Sequence, residues 1–131
     1  MRQTLVIVST VSSTPVTVFA LDGNSVTLTM NRHDIVDKEY ASWIINGTDI
    51  VTYYPRYPKD SSLRIPAPYK SRVEFDTTDL SMELRNLQKT DSGLYTGEIK
   101  TPENQTFVEY KLIVLGELQC KYPAALRLNV K

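Results

Sequence analysis

The 131-residue chain has one cysteine, Cys120, so no internal disulfide can form and any core must hold by packing alone. It also has one histidine, His33. Asp34, Asp37 and Glu39 lie near it, but a metal centre needs several strong ligands held rigidly. The run reads instead as a charged, solvated loop with no metal. An excess of one charge sign is missing too, since 15 Lys and Arg balance 15 Asp and Glu. That balance argues against nucleic-acid binding, which needs a basic footprint to neutralise phosphates. No apolar run approaches the roughly 20 residues of a membrane-spanning helix. There is no G-x-S-x-G elbow, no phosphate-cradling glycine loop and no H-E-x-x-H pair. Cys120 has no histidine in a relay position, and no two carboxylates stand out as an acid–base pair. These absences leave no catalytic residue, no cofactor and no small-molecule substrate to expect.

What the chain does have is a series of short alternating segments, in a length that suits one domain with its own core. Residues 15–21 read as a first strand and Asp22-Gly23-Asn24 as a turn. Residues 25–31 alternate strictly, with Val26, Leu28 and Met30 on one face and Ser25, Thr27 and Thr29 on the other. Period two marks a strand with one buried face. Residues 32–39 form a charged loop. Further strands are expected over 40–46, centred on Trp43, and over 50–54, 72–76 and 81–87. Residues 55–68 hold four prolines and form an irregular edge. Residues 94–100 and 107–115 pair as a hairpin around the loop 101–106. Tyr110-Lys111-Leu112-Ile113 has the form of a tyrosine sorting motif, but Tyr110, Leu112 and Val114 alternate inward, which makes the tyrosine part of the core. Many short strands with turn signals and no helical period predict an all-β sandwich.

The domain is expected over residues 15–115. Residues 1–14 form an N-terminal segment, either an extension or the remnant of a weak signal peptide, and 116–131 a linker or tail. Asn46-Gly47-Thr48 and Asn104-Gln105-Thr106 both fit the N-glycosylation pattern and fall at strand ends or loops. They point to an extracellular protein glycosylated at Asn46 and Asn104, against the reducing compartment that scarce cysteine alone suggests.

Asp91, Gly93 and Tyr95, in the run Lys89-Thr90-Asp91-Ser92-Gly93-Leu94-Tyr95, resemble the D-x-G-x-Y pattern that enters strand F of an immunoglobulin variable-type domain. Gly23, Val26, Leu28 and Met30 resemble its strand B, and Trp43 resembles the core tryptophan of its strand C. The resemblance puts Met30 and Gly97 where the two inter-sheet cysteines normally sit. It implies an immunoglobulin V-type β-sandwich of two antiparallel sheets with Greek-key connections. It also implies that Met30 faces Gly97 across the core, a flexible thioether filling the space of the missing bridge. Tyr95 is then a tyrosine corner, and Arg72 and Asp91 an ion pair closing one end.

The runs Tyr69-Lys70-Ser71-Arg72-Val73-Glu74-Phe75-Asp76, Leu80-Ser81-Met82-Glu83-Leu84-Arg85-Asn86-Leu87 and Trp43-Ile44-Ile45-Asn46-Gly47-Thr48 narrow this further. With the missing bridge, they resemble the membrane-distal domain of the SLAM family, the signalling lymphocytic activation molecules. They also resemble the lymphocyte rosette receptor and its glycolipid-anchored ligands. The resemblance implies a cell-surface recognition module of an immune adhesion or co-signalling receptor. Its partner would be a homologous immunoglobulin-domain receptor, bound homophilically or heterophilically through the sheet of strands G, F, C, C′ and C″. Membrane attachment would come only through an anchor outside the domain.

With Trp43 and Tyr95 inward, alternation turns Ser42, Ile44 and Asn46 outward, and likewise Thr96, Glu98 and Lys100. Glu109, Lys111 and Ile113 follow on strand G. Ser42, Ile44, Thr96, Glu98, Lys100, Glu103, Glu109 and Lys111 are therefore the candidate partner-binding residues, a face of mixed charge around an aliphatic centre. Either Tyr53 or Tyr54 joins it. A glycan on Asn46 is expected close to this face. Two other readings share the fold: a viral immune-evasion copy of such a receptor, and a glycan-binding domain that stacks sugars on Tyr53, Tyr54 and Tyr57.

Overall fold

The computed structural model describes residues 7–8, 15–30 and 38–116. Along them run β1 (Ile7–Val8), β2 (Val16–Leu21), β3 (Val26–Leu28), β4 (Tyr40–Ile45), β5 (Thr48–Tyr53), β6 (Leu63–Arg64), β7 (Val73–Phe75), β8 (Met82–Leu84), β9 (Gly93–Lys100) and β10 (Gln105–Leu115). Three single turns of 3-10 helix, at Lys59–Ser61, Ala67–Tyr69 and Lys89–Asp91, complete the regular structure, and no α-helix occurs among the described residues. The strands form two sheets, one in the order β1-β2-β10-β9-β4-β5-β6 and one in the order β3-β8-β7. β2 pairs in parallel with β10, and the other pairings are antiparallel.

The small sheet follows from sequence alternation. Val26 and Leu28 on β3, Met82 and Leu84 on β8, and Val73 and Phe75 on β7 are buried, while Thr27 and Glu74 between them are exposed. These side chains share one core with Val18, Trp43, Tyr95, Ile99 and Leu112 of the large sheet.

Some strand limits differ from the expectation. The β3 ladder stops at Leu28 rather than continuing to Asn31. The Tyr110 hydroxyl donates to the Thr29 carbonyl at 2.8 Å, taking the place of a ladder partner. Met30 stays buried all the same. β10 begins at Gln105, so the loop before it is shorter than expected. The Thr101 N–H and hydroxyl both bond to the Asn104 carbonyl, at 2.9 and 3.2 Å, and close a tight turn. The proline-rich 55–68 stretch contains the two-residue β6 within its turns. His33, Asp34, Asp37 and Cys120 lie outside the described residues, as do the rest of 1–14 and all of 117–131.

Trp43 is fully buried, and its indole N–H donates to the Leu80 carbonyl at 3.0 Å. Leu80 holds φ 65, a left-handed conformation costly for a branched residue, so this bond helps to fix a strained turn. Trp43→Phe leaves that carbonyl without its donor and opens a void. A loss of about 2–4 kcal/mol is expected in urea denaturation.

Tyr95 is also fully buried, and its hydroxyl donates to the Asp91 carbonyl at 2.6 Å. Burial first, and the nearby Asp91 charge second, push its pKa well above the ordinary tyrosine value, so it stays a neutral donor. Arg72 pairs with Asp91 and also donates to the carbonyls of Arg85 at 3.1 Å and Asn86 at 3.2 Å. The same Asp91 carboxylate oxygen accepts the Gln88 N–H at 2.8 Å. Across the core, Met30 packs against Gly97: a Cβ at position 97 would lie 2.6 Å from the Met30 sulfur.

Candidate protein-recognition face

The outer surface of the five strands β10, β9, β4, β5 and β6 is set by register. Ser42 on β4 stands opposite Glu98 on β9, and Glu98 opposite Phe107 on β10. One step along, Tyr40 and Gln105 both stand opposite Lys100, and in the other direction Thr96 lies between Ile44 and Glu109. On the far side Ser42 pairs with Thr52, and Thr52 with Arg64. A register shift between Trp43 and Ile44 breaks simple alternation across β4 and β5. Both Ile50 and Val51 are consequently buried.

That irregularity settles which tyrosine joins the face. Tyr53 packs on Phe75, with ring centroids 5.6 Å apart, toward the core. Tyr54 is the outward one, 6.2 Å from Tyr40, stacked on Tyr57 at 4.9 Å, with the Arg64 guanidinium 5.3 Å from its ring centre. The expected platform of three tyrosines for sugars is therefore not formed. Tyr53 faces inward, and Tyr54 already carries Tyr57 and Arg64.

Two of the expected contact residues are not available as expected. Ser42 is only 2% exposed, because its short side chain sits in the middle of the sheet between Glu98 and Thr52 and cannot rise above them. Glu98 is 8% exposed. One of its carboxylate oxygens accepts the Tyr40 hydroxyl at 3.1 Å and also the side-chain amide of Gln105. Burial, followed by the Glu98 hydrogen bond, raises the Tyr40 pKa, so the phenol remains a donor near neutral pH. Ile44, Thr96, Lys100 and Glu109 are half-buried, and Glu103 and Lys111 are exposed. The Lys100 ammonium bonds to the Thr101 carbonyl at 2.8 Å.

Phe107 was not among the expected residues, yet it is 56% exposed and lies directly beside Glu98. The parity that turns Glu109 outward turns Phe107 outward too, so the signal was in the sequence. Tyr40 was readable in the same way. Arg64 and Gln105 were not, because their places depend on turns and long-range pairings.

The two sequons lie at opposite ends of this face. Asn46 and Gly47, with φ 49 and 86, form the two-residue β4–β5 turn. The Asn46 side chain accepts the Leu94 N–H at 3.2 Å and packs on Gly93, where a Cβ would come within 2.8 Å of its amide nitrogen. Asn46 is therefore six residues from Tyr40, roughly 20 Å along the strand. A glycan there would flank the face, at the end remote from the aromatic cluster. Asn104, exposed and next to Gln105, lies at the near end.

Among the described residues no group of His, Cys, Asp or Glu is placed to hold a metal ion. No helix among them is long and apolar enough to cross a membrane. A family model described as the immunoglobulin V-set domain matches residues 13–115. The chain belongs to the immunoglobulin V-set. In V-set terms β10, β9, β4, β5 and β6 are strands G, F, C, C′ and C″.

Solved structures similar to this V-set domain include the first Ig-like domain of human CD48 antigen, at 20% identity and a TM-score of 0.66 over 77% of this chain and 82% of that one. A structure of CD84, described for its bearing on SLAM family function, is similar at 20% identity and 0.63 over 77% and 97%. The CD2-binding domain of CD58 is similar at 20% identity and 0.57 over 75% of this chain and 52% of that one. At these identities the likeness is one of fold. The V-set is a non-enzymatic fold class.

Proposed function

We propose that this V-set domain is an extracellular recognition module of a cell-surface immune adhesion or co-signalling receptor, and that it binds a related immunoglobulin domain through its G, F, C, C′ and C″ strands. The observation that carries the reading is Phe107. Its ring is 56% exposed on the sheet face, and it is informative because it does not stand alone. It continues through Glu98 and Tyr40 into the Tyr54–Tyr57–Arg64 stack, so aromatic anchors and charges share one surface. Aromatic residues and arginine are enriched where protein interfaces concentrate their binding energy. The lysines and carboxylates around them suit charge-selected, rapidly exchanging contact. The structural likeness to CD48, CD84 and CD58 supports the same reading.

The test is surface plasmon resonance of the chain against a panel of V-set receptor domains and against itself, with analytical ultracentrifugation alongside. Phe107→Asp is expected to weaken any association at least about tenfold. Glu74→Lys on the opposite sheet should leave it unchanged. A strictly monomeric chain that binds no member of the panel would sink the proposal, as would a Phe107→Asp variant that binds like the parent.

A further inference from the structure

Resting on that recognition role, we infer that Glu98 and Phe107 together form a receptor for an arginine side chain of the partner. Glu98 is a carboxylate almost removed from water, yet among the described residues no cation pairs with it. Its two partners, Tyr40 and Gln105, are neutral, and both bond to the same oxygen, Oε2. Among the described residues no donor bonds to the other oxygen, Oε1. A negative charge at this depth with no counter-charge among the described residues is unfavourable, and the apolar ring of Phe107 directly beside it would gain from being covered.

One kind of ligand relieves both. A cation with a flat, weakly hydrated face can donate to Oε1 while lying on the Phe107 ring. A lysine ammonium can also sit over a ring, but it is compact and strongly hydrated, so it gives up more water and covers less of Phe107, while a neutral aromatic meets the ring but not the charge. Oε2 already accepts two donors, so the contact is a single N–H to Oε1, not a two-pronged fork. The buried Ser42 on the other side of Glu98 keeps that flank low. The Tyr40 and Gln105 bonds hold the carboxylate in place before the partner arrives, so little side-chain freedom is lost on binding.

The full chain, labelled with ¹³C at glutamate and phenylalanine, is titrated at low salt with N-acetyl-arginine amide. N-acetyl-citrulline amide, its neutral counterpart, serves as the control. Saturable shifts at the Glu98 carboxyl and the Phe107 ring are expected, with a Kd on the order of millimolar for so small a probe. The citrulline compound should bind about tenfold more weakly. Glu98→Gln should abolish the response, and Phe107→Leu should weaken it about threefold. Because Glu98→Gln also touches Tyr40 and Gln105, Phe107→Leu, which leaves that cluster intact, tests the site independently. Shifts that fail to saturate, that are equal for citrulline, or that persist in a natively folded Glu98→Gln variant overturn the inference. The titration needs no immunoglobulin partner. If it fails while a V-set partner still loses affinity on Phe107→Asp, the arginine receptor is wrong and the recognition role stands. If it succeeds in a chain that binds no V-set domain, the reverse holds.

Discussion

Gly97→Val is expected to destabilise the domain by about 3 kcal/mol or more, and Gly97→Ala by about 1–3 kcal/mol. A Cβ at this position would lie 2.6 Å from the Met30 sulfur and 2.9 Å from a Val108 methyl. The methionine end is flexible and can swing aside, but the β-branched valine on the adjoining strand β10 has little freedom. Alanine's Cβ therefore already presses on both neighbours, and the two further methyls of valine add to the crowding. Met30→Ala alone should cost about 2–5 kcal/mol, because it empties a packed site. Combined with Gly97→Ala it should cost less than the sum of the two, since the new methyl enters the space that the thioether left. Urea denaturation of the two single variants and the double variant measures that coupling. Strict additivity would mean that the two residues do not share the space described.

Asp91→Ala should cost about 2–4 kcal/mol, because it removes the buried member of a partly buried ion pair and leaves Arg72 without its carboxylate. The Asp91 carboxylate serves Arg72 and the Gln88 N–H at once, and Arg72 in turn holds the carbonyls of Arg85 and Asn86. Its loss loosens the β7, β8 and β9 ends together. Asp91→Asn should be milder, since an amide oxygen still accepts the Gln88 bond. Arg72→Ala and the double variant complete the cycle. A double variant no worse than Asp91→Ala alone is the expected outcome, because Arg72 loses its main partner in either case. Equal stability of Asp91→Ala and the parent chain in thermal unfolding would remove the pair from any account of this end of the sandwich.

The fold was legible because its signals are local. Val26, Leu28 and Met30 alternate within one strand, and Asp91, Gly93 and Tyr95 carry their spacing within one turn. The candidate face was legible in direction but not in depth. Parity placed Thr96, Glu109 and Lys111 on the correct side, because parity depends on one strand at a time. How far a side chain stands above the sheet depends on its neighbours on other strands. Ser42 sinks between Glu98 and Thr52, and Glu98 is covered because Tyr40 and Gln105 reach over it from two different strands. The choice between Tyr53 and Tyr54 stayed open for a related reason. The register shift beside Trp43 buries two consecutive residues, Ile50 and Val51, and no alternating pattern along β5 announces it. Phe107 has the same parity as Glu109, and that parity exposes it.

The Met30–Gly97 contact has a consequence beyond packing. In a bridged sandwich, complete folding waits for an oxidation, and the surrounding redox potential decides whether the native state is reached. Here the two sheets are joined at that point by a thioether resting on a glycine, a contact that no reductant can open. The domain's assembly thereby does not depend on forming a disulfide at that point. The same native sandwich is accessible in a reducing cytosol and in an oxidising lumen, and no wrongly paired cysteines can trap it on the way.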